Sequence, residues 1–290
     1  MNIDHPIFII GSGRSGTTLL LNLLAKHPDL AWFSNYVDFY PDKHWIMILS
    51  RLREIPVVGS KISGLIPGIL HSHESINIYK YCGIHNLIYD KKAPLTENDV
   101  TPQSATCFRD IVAKCLRFSG KSRFLNKNTN NCARIRYLNA IFPKSKYIHI
   151  IRDGRAVSNS LINVDWWSDL TLWWSDYSPN DWNSTGKPAI ELCAHHWQQM
   201  VRTVLSAVPY LEDDQYIEVG YEELTANPLT EMRKLIKFCD LRWTKDFENQ
   251  IKKQPIYNFN NKWSENLSMS DQQILEDSLS DLLSELGYQV

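Results

Sequence analysis

The sequence predicts an α/β fold of three layers, in which a central, mainly parallel sheet is flanked by helices. Two short apolar runs, 6–10 and 147–151, are of the kind that forms strands buried on both faces of a parallel sheet. Each run leads through a glycine-containing turn into apolar residues at helical spacing. Strands that alternate with helices in this way indicate parallel pairing with crossover helices.

The first unit begins at Pro6, and its strand ends at Ile10, where a glycine-rich turn begins. From Thr17 to Lys26 the leucines recur at the spacing of one helix face, and Pro28 follows shortly after. We therefore predict a strand, a loop and a helix near the amino terminus.

The later elements are predicted from the same signals, namely apolar runs for strands and prolines at helix boundaries. The turn Arg152-Asp153-Gly154 joins the strand of a second unit to its helix. With no linker, repeat or low-complexity tract, the chain is predicted to form a single domain over residues 1–290. The further elements are a helix over 132–142 that Pro143 stops, a helix over 155–164, a strand over 216–219 and a helix starting near Pro228.

Composition limits the classes of partner. A formal net charge of −1 over 290 residues argues against a surface built to attract nucleic acid or an anionic membrane. The amino terminus resembles neither a signal peptide nor a membrane span, so a cytoplasmic location is expected. The cysteines are scattered without metal-like spacing, which predicts reduced, mostly buried thiols at Cys82, Cys107, Cys115, Cys132, Cys193 and Cys239.

The turn Gly11-Ser12-Gly13-Arg14-Ser15-Gly16-Thr17-Thr18 has P-loop-like spacing. A turn of this kind directs backbone N–H groups at one point, and the helix dipole adds partial positive charge there, so we predict an anion-binding loop. The lysine of nucleotide P-loops is replaced by Thr17, and the cation of the loop is Arg14. This combination favours a phosphosulfate over magnesium-dependent triphosphate chemistry.

A second motif follows the later strand, where Arg152 leaves the strand and Ser160 lies eight residues further on. An arginine can bind a phosphate through two parallel N–H groups, and a serine hydroxyl can add a donor. Taken alone, Arg-Asp-Gly-Arg is equally compatible with a salt-bridged turn. Together with the first loop, it favours a phosphate-binding role.

With these two motifs, the sequence resembles the sulfotransferase superfamily, and within it the bacterial group related to tyrosylprotein sulfotransferases. The resemblance covers most of the chain. Segment 9–28 resembles the 5′-phosphosulfate loop of that family and its helix, and Arg152 and Ser160 match its 3′-phosphate ligands. Segment 125–129 resembles the one whose lysine, here Lys127, helps to neutralise the transferred group.

The same resemblance implies roles for later residues and a co-substrate, 3′-phosphoadenosine 5′-phosphosulfate. Tyr221 matches the tyrosine on the adenine side of the nucleotide, and Lys262 falls in a basic loop that closes over the 3′-phosphate. No metal is predicted, since the pair His71 and His73 lacks a third ligand at characteristic spacing. The implied cofactor-binding residues are Gly13, Arg14, Ser15, Gly16, Thr17, Thr18, Arg152, Ser160, Tyr221 and Lys262.

Removal of the acceptor proton requires a general base, and the sequence leaves its identity open. The glutamate that follows the phosphate-loop helix in tyrosylprotein relatives is replaced by Asn35, which accepts no proton at neutral pH. We favour Glu74, because related bacterial sequences carry a glutamate in a similar segment; Asp38 and His44 are the other candidates. Each carboxylate is also compatible with an ordinary surface or capping residue.

Two stretches depart from the alternation of strands and helices, about 36–120 and about 165–200, and we assign them to the acceptor side. The cofactor core then comprises about 1–35, 121–164 and 215–265. Five tryptophans interleaved with aspartates between positions 165 and 182 favour either a pocket for a cationic or aromatic acceptor or a tryptophan-rich core with solvated aspartates.

The predicted activity is metal-independent sulfuryl transfer to a hydroxyl or amine of a small-molecule acceptor, as in natural-product biosynthesis. Arg14, Lys127 and a carboxylate, Glu74 or Asp38, are the predicted catalytic residues. Two alternatives stay open. One is a kinase-like P-loop enzyme, and the other is a non-catalytic binding protein on the same fold.

Overall fold

Five parallel strands form the central sheet of the computed structural model, which describes residues 3, 5–48 and 74–290. Each neighbouring pair runs in the same direction, so the carboxyl ends of all five strands lie at one edge of the sheet. The spatial order is β2-β3-β1-β4-β5, with β1 at Ile7–Ile10, β2 at Leu30–Ala31, β3 at Arg123–Lys127, β4 at Lys146–Ile151 and β5 at Tyr216–Gly220.

Helices connect the strands, as the alternation in the sequence predicts. In the described part of the chain, none of them has both the length and the apolar character that a bilayer span requires. Short 3₁₀ helices lie at Glu97–Asp99, Thr129–Ala133, Asp165–Trp167 and Val208–Tyr210. The α-helices are α1 (Thr17–Leu24), α2 (Asn35–Phe39), α3 (Ile76–Tyr81), α4 (His85–Lys91), α5 (Pro102–Ser119), α6 (Ile135–Ile141), α7 (Gly154–Ile162), α8 (Pro179–Asn183), α9 (Ala189–Ala207), α10 (Tyr221–Ala226), α11 (Pro228–Phe238), α12 (Lys245–Lys252), α13 (Lys262–Asn266) and α14 (Met269–Glu285).

The residues of β1 alternate between two hydrophobic cores, so the sheet is covered on both faces. Phe8 and Ile10 pack in a cluster with α5 and α6, whereas Ile7 and Ile9 pack in a cluster with α1, α11 and α12. All four side chains are fully buried, as expected for a central strand of a parallel sheet. The predicted three-layer α/β fold is confirmed.

The secondary structure differs from the prediction in two places. The helix predicted over 132–142 is a 3₁₀ turn followed by α6, which ends before Pro143. Strand β3 was not predicted from an apolar run, because Arg123, Asn126 and Lys127 interrupt the run. All three polar side chains are nevertheless buried, since the strand lies inside the sheet.

The prediction of six reduced thiols is wrong for one pair. Cys82, directly after α3, forms a disulfide with Cys107 of α5, and their Cα atoms lie 5.5 Å apart. Tertiary packing brings these positions together, and cysteine spacing alone does not reveal it. The remaining cysteines, Cys115, Cys132, Cys193 and Cys239, are free and buried.

Two buried histidines predict acid lability. Burial lowers the pKa of His149 to about 3 and that of His196 to about 4, from an ordinary value of 6.5. Below that value the unfolded chain binds protons that the folded chain does not. The free energy of unfolding should therefore decrease as the pH is lowered, and the loss at pH 5 should be roughly 2 kcal/mol for each histidine.

Urea unfolding at pH 7 and at pH 5 measures this loss. The variant His149→Gln should show a loss that is smaller by roughly 2 kcal/mol, because it no longer carries the titrating group. An identical loss in the variant and in the natural chain would contradict the assignment.

Candidate active site

The predicted site residues lie where the carboxyl ends of adjacent strands meet. The phosphate loop, residues 11–16, follows β1, and Lys127 ends β3. Arg152 follows β4, and Tyr221 follows β5. Ligands of open α/β sheets bind at this edge. The topology thus brings together residues that are distant in the sequence.

The phosphate loop is held in a sharp turn. Arg14 and Gly16 have positive φ angles of 68° and 93°. A Cβ atom on Gly16 would lie 2.6 Å from Cδ2 of Tyr221, so glycine is required between the loop and that ring. The hydroxyl groups of Ser12 and Ser15, 2.8 Å apart, brace the turn from within.

Backbone donors gather at the start of α1. The first N–H groups of a helix have no acceptor within it and carry partial positive charge. The first turn of α1 contains no acidic residue that would compete with a bound anion. Five backbone N–H groups in this region have no hydrogen-bond acceptor among the described residues. They belong to Gly13, Arg14, Gly16, Thr17 and Thr18. This arrangement suits a phosphate or sulfate group.

Arg14 adds a full positive charge to this loop. Its side chain is exposed, and Nε donates a hydrogen bond to Oγ of Ser160 at 2.8 Å. No carboxylate within the ranges that the structure describes is ion-paired with Arg14. Because Ser160 lies on α7, this hydrogen bond joins the two motifs that were predicted to bind phosphates.

Arg152 links the phosphate loop to a late segment of the chain. Its guanidinium donates to the carbonyl oxygens of Arg14 (3.0 Å) and Phe259 (2.9 Å) and to Oδ1 of Asn260 (3.1 Å). Burial lowers the pKa of Arg152, but an arginine keeps its charge in proteins. Each terminal nitrogen retains a second N–H, so the side chain can still bind a phosphate.

Tyr221 lies beside Arg152, and Lys262 lies beside Phe259, whose carbonyl oxygen binds Arg152. The Tyr221 ring is 4.5 Å below the guanidinium of Arg152, and its hydroxyl donates to the carbonyl oxygen of Tyr257 at 3.0 Å. Lys262 begins α13, with Nζ 4.8 Å from the ring centre of Phe259. The late segment therefore packs onto the strand ends.

Lys127 and Glu74 form an ion pair at the carboxyl end of β3. Lys127 pairs with Ile9 of β1 in the sheet, two residues before the loop begins, so its backbone lies at the sheet edge where the loop starts. The lysine side chain is 6% exposed and that of Glu74 is 33% exposed, so the glutamate is the partner that an entering acceptor can reach. A predicted charge stabiliser and the favoured base are thus in direct contact.

Asp38, the second candidate base, lies on α2, and its buried carboxylate contacts the start of α3. Its Oδ1 accepts a hydrogen bond from the Ile78 N–H (3.0 Å), and its Oδ2 accepts one from Nδ2 of Asn77 (3.2 Å). Both oxygens are therefore engaged in holding the first turn of this helix. Glu74 is the more accessible of the two carboxylates.

Two further side chains complete the candidates for the acceptor side. Burial lowers the pKa of His44 from its ordinary value of 6.5, which favours the neutral form of its ring. Asn35 begins α2, and its Oδ1 is buried without a hydrogen-bond partner among residues 3, 5–48 and 74–290. An amide at this position can bind a substrate group but cannot act as a base.

Most rings of the tryptophan-rich segment belong to the hydrophobic core. Trp167, Trp173 and Trp182 are buried. Trp167 and Trp182 also line a cavity of about 360 Å³, whose wall includes Asp165. Both interpretations of this segment therefore hold in part. The rings pack in the core, and Trp167 and Trp182 also form part of a cavity wall.

Trp166 differs from its neighbours because its side chain is 48% exposed. A Cβ atom built on Gly13 would lie 3.8 Å from this ring and 3.8 Å from Leu161, so the ring stands beside the phosphate loop. Its exposed surface is available to a ligand there. The sequence marked this residue only as part of a tryptophan pair.

Within residues 3, 5–48 and 74–290, no group of three or more His, Cys, Asp or Glu side chains is arranged to hold a metal ion. His71 and His73 lie outside the described residues. The donors at the phosphate loop are N–H groups and a guanidinium, which bind anions.

One feature of the site was missed at the sequence level. Four asparagines lie between positions 126 and 131, and two of them contact the turn that carries Glu74. The sequence signal that could have revealed it is this run of asparagines at the end of a strand, because buried amide groups need specific hydrogen-bond partners.

Comparison with known proteins identifies a family that this chain matches. A model described as "Sulfotransferase family" matches residues 6–245, which include every candidate site residue except Lys262. A protein-tyrosine sulfotransferase of Drosophila melanogaster is 26% identical over 243 residues, or 83% of this chain and 39% of the relative. An omega-hydroxy-beta-dihydromenaquinone-9 sulfotransferase of Mycobacterium bovis is 26% identical over 190 residues, or 56% and 45%. The chain thus spans less than half the length of these two relatives.

A solved structure shares the fold. The crystal structure of sulfotransferase STF9 from Mycobacterium avium matches with a TM-score of 0.63 and 17% identity, covering 100% of this chain and 79% of the other. At this level of identity, the similarity extends to the fold alone.

Proposed function

Because the chain belongs to the sulfotransferase family, we propose that it transfers a sulfuryl group from 3′-phosphoadenosine 5′-phosphosulfate to a hydroxyl or amine of a small-molecule acceptor. One observation carries the proposal. Arg14 and Arg152, in contact through the Arg14 carbonyl, supply two cations at one sheet edge, with Ser160 between the motifs. Such a pair can bind two separate phosphate groups of one nucleotide.

In this proposal the 5′-phosphosulfate binds to the backbone donors of the phosphate loop and to Arg14. The 3′-phosphate binds to Arg152 and Ser160, and Lys262 adds charge from the late segment. The loop has Thr17 where a triphosphate enzyme has lysine, which favours this less charged donor over ATP.

The transfer itself is an in-line displacement at sulfur. The acceptor atom forms a bond to sulfur while the bond from sulfur to the bridging oxygen breaks, and 3′-phosphoadenosine 5′-phosphate leaves with the electron pair. Lys127 stabilises the charge that grows on the bridging oxygen. Glu74 takes the acceptor proton, so all charges and atoms balance without a further reagent.

A small molecule is the first candidate for the acceptor in this proposal. A protein tyrosine is the second candidate, because the curated relatives include a protein-tyrosine sulfotransferase. Asn35 favours a small molecule, since the glutamate of tyrosylprotein relatives is absent there. A relative named for a dihydromenaquinone acceptor supports the same choice.

A cytoplasmic location stays a prediction. Disulfides are rare in reducing compartments. The bond between Cys82 and Cys107 therefore weighs against a strongly reducing one.

The proposal predicts that radiolabelled 3′-phosphoadenosine 5′-phosphosulfate transfers its sulfuryl group to small alcohols, phenols or amines, with one 3′-phosphoadenosine 5′-phosphate released per transfer. Chromatography of the products measures both. A tyrosine-containing peptide in the same panel tests the second candidate. Magnesium-dependent phosphoryl transfer from ATP without sulfuryl transfer would overturn the proposal, and nucleotide binding without transfer to any acceptor would indicate a non-catalytic protein.

A further inference from the structure

The turn that carries Glu74 has an unusual backbone. Ser75, the next residue, has φ 62° and ψ 33°, in the left-handed region that residues other than glycine seldom adopt. Ser75 is also fully buried. Such a conformation persists only where surrounding contacts enforce it, and it is common at functional sites.

Three consecutive residues at the end of β3 supply contacts of this kind. Asn128 donates from Nδ2 to the carbonyl oxygen of Glu74 at 2.7 Å. Asn126 donates from Nδ2 to Oγ of Ser75 at 3.3 Å. Between them, Lys127 pairs with the Glu74 carboxylate. Backbone and side chain of Glu74 are thus held by one short segment.

The amide of Asn126 is itself fixed. Its Oδ1 accepts hydrogen bonds from the Tyr79 hydroxyl (3.1 Å) and from Nδ2 of Asn131 (3.0 Å). Because these two donors occupy the oxygen, the nitrogen must face Ser75. Behind them, the buried Arg134 guanidinium lies 4.4 Å from the centre of the Tyr79 ring.

We propose that Asn126 and Asn128 are positioning residues that hold the Glu74 carboxylate in contact with Lys127. This inference rests on the proposed function. They act through the strained backbone of the turn and do not themselves touch the reacting atoms. A base that is displaced by about 1 Å loses a large part of its effect, so this scaffold sets the rate of proton removal.

The variant Asn128→Ser isolates the contact to Glu74. Oδ1 of Asn128 also accepts the Asn130 N–H at 2.9 Å, which caps the following 3₁₀ turn. Serine is an equally good capping residue, but its short side chain does not reach the Glu74 carbonyl. Asn130→Ala is the matched control, because Asn130 lies on the same turn and its side chain donates to Tyr89 instead.

With 4-nitrophenol, 4-methylumbelliferone and phenol as acceptors, Asn128→Ser should lower kcat by roughly 10–100-fold, most for the least acidic acceptor, which depends most on the base. Asn130→Ala should stay within about twofold, and calorimetry should give unchanged affinity for 3′-phosphoadenosine 5′-phosphate in both. A uniform loss across the three phenols, or an unchanged kcat, would overturn the positioning role.

Crystal structures keep the inference testable if none of these phenols is turned over. In Asn128→Ser the Glu74 carboxylate should leave Lys127, and an ion pair that persists unchanged would overturn the inference. Failure of the proposed function can be distinguished from failure of the positioning role. It would appear as no transfer to any acceptor by the natural chain, or as full activity in Glu74→Gln.

Discussion

Replacing Glu74 by glutamine should lower kcat for sulfuryl transfer by roughly 10²–10⁴-fold, the usual contribution of a general base. Glutamine keeps the size and polarity of the side chain but cannot take the acceptor proton. Affinity for 3′-phosphoadenosine 5′-phosphate should change little, because Glu74 holds no phosphate in the proposed site. Steady-state kinetics with several acceptors, together with calorimetry, measures both quantities.

The control for this variant is Glu97→Gln, which breaks a partly exposed ion pair with Arg136 that includes none of the candidate site residues. It should leave kcat within about twofold, since exposed ion pairs contribute little. Asp38→Asn tests the other carboxylate. If Asp38→Asn abolished transfer in a folded protein while Glu74→Gln remained active, the base would be Asp38.

Replacing Arg152 by alanine should reduce the preference for 3′-phosphoadenosine 5′-phosphosulfate over its analogue without the 3′-phosphate by roughly 10–100-fold, because a hydrogen bond to a charged group contributes about 1.5–3 kcal/mol. The ratio of kcat/KM for the two donors measures the effect. Arg152→Lys should restore part of the preference, since lysine keeps the charge but not the paired N–H groups.

Arg152 also holds the carbonyl oxygens of Arg14 and Phe259, so the variant needs a structural control. Arg155→Ala serves this purpose, because Arg155 lies in the same turn and pairs with Asp153. It should lower stability without changing the donor ratio. An unchanged donor ratio in Arg152→Ala would show that the 3′-phosphate binds elsewhere.

The sequence predicted the parts of the fold that depend on local signals. The apolar run of β1, the glycine turn and α1 are adjacent in the chain, and so are β4, Arg152 and α7. In a sequence, a continuous apolar run indicates a strand that is covered on both faces, and glycine indicates a turn that needs a positive φ angle. These two units were enough to indicate a parallel sheet with an anion site at its edge.

The rest of the site depends on contacts between distant segments. Lys127 and Glu74 are 53 positions apart, and their pairing follows from the packing of the α3 segment against β3. The Asn126 and Asn128 contacts have the same origin, and the disulfide between Cys82 and Cys107 joins the end of α3 to α5. No local pattern encodes such contacts, because each residue type alone fits many environments.

The acceptor side was the least predictable region. Its tryptophans were assigned either to a pocket wall or to a core, and the burial of Trp173 contrasts with the exposure of Trp166. Aromatic rings serve both purposes, and only the fold decides which face of each ring is covered. Trp166 thus offers an exposed ring beside the phosphate loop, whereas the ring of Trp173 is covered by the core.

A crystal structure of the protein with 3′-phosphoadenosine 5′-phosphate tests the central claim most directly. We predict the 5′-phosphate at the N–H groups of the phosphate loop and the 3′-phosphate against Arg152 and Ser160, with Lys127 and Glu74 facing the position of the departed sulfuryl group. A nucleotide bound with its 3′-phosphate away from Arg152, or with its 5′-phosphate away from the loop, would contradict the account.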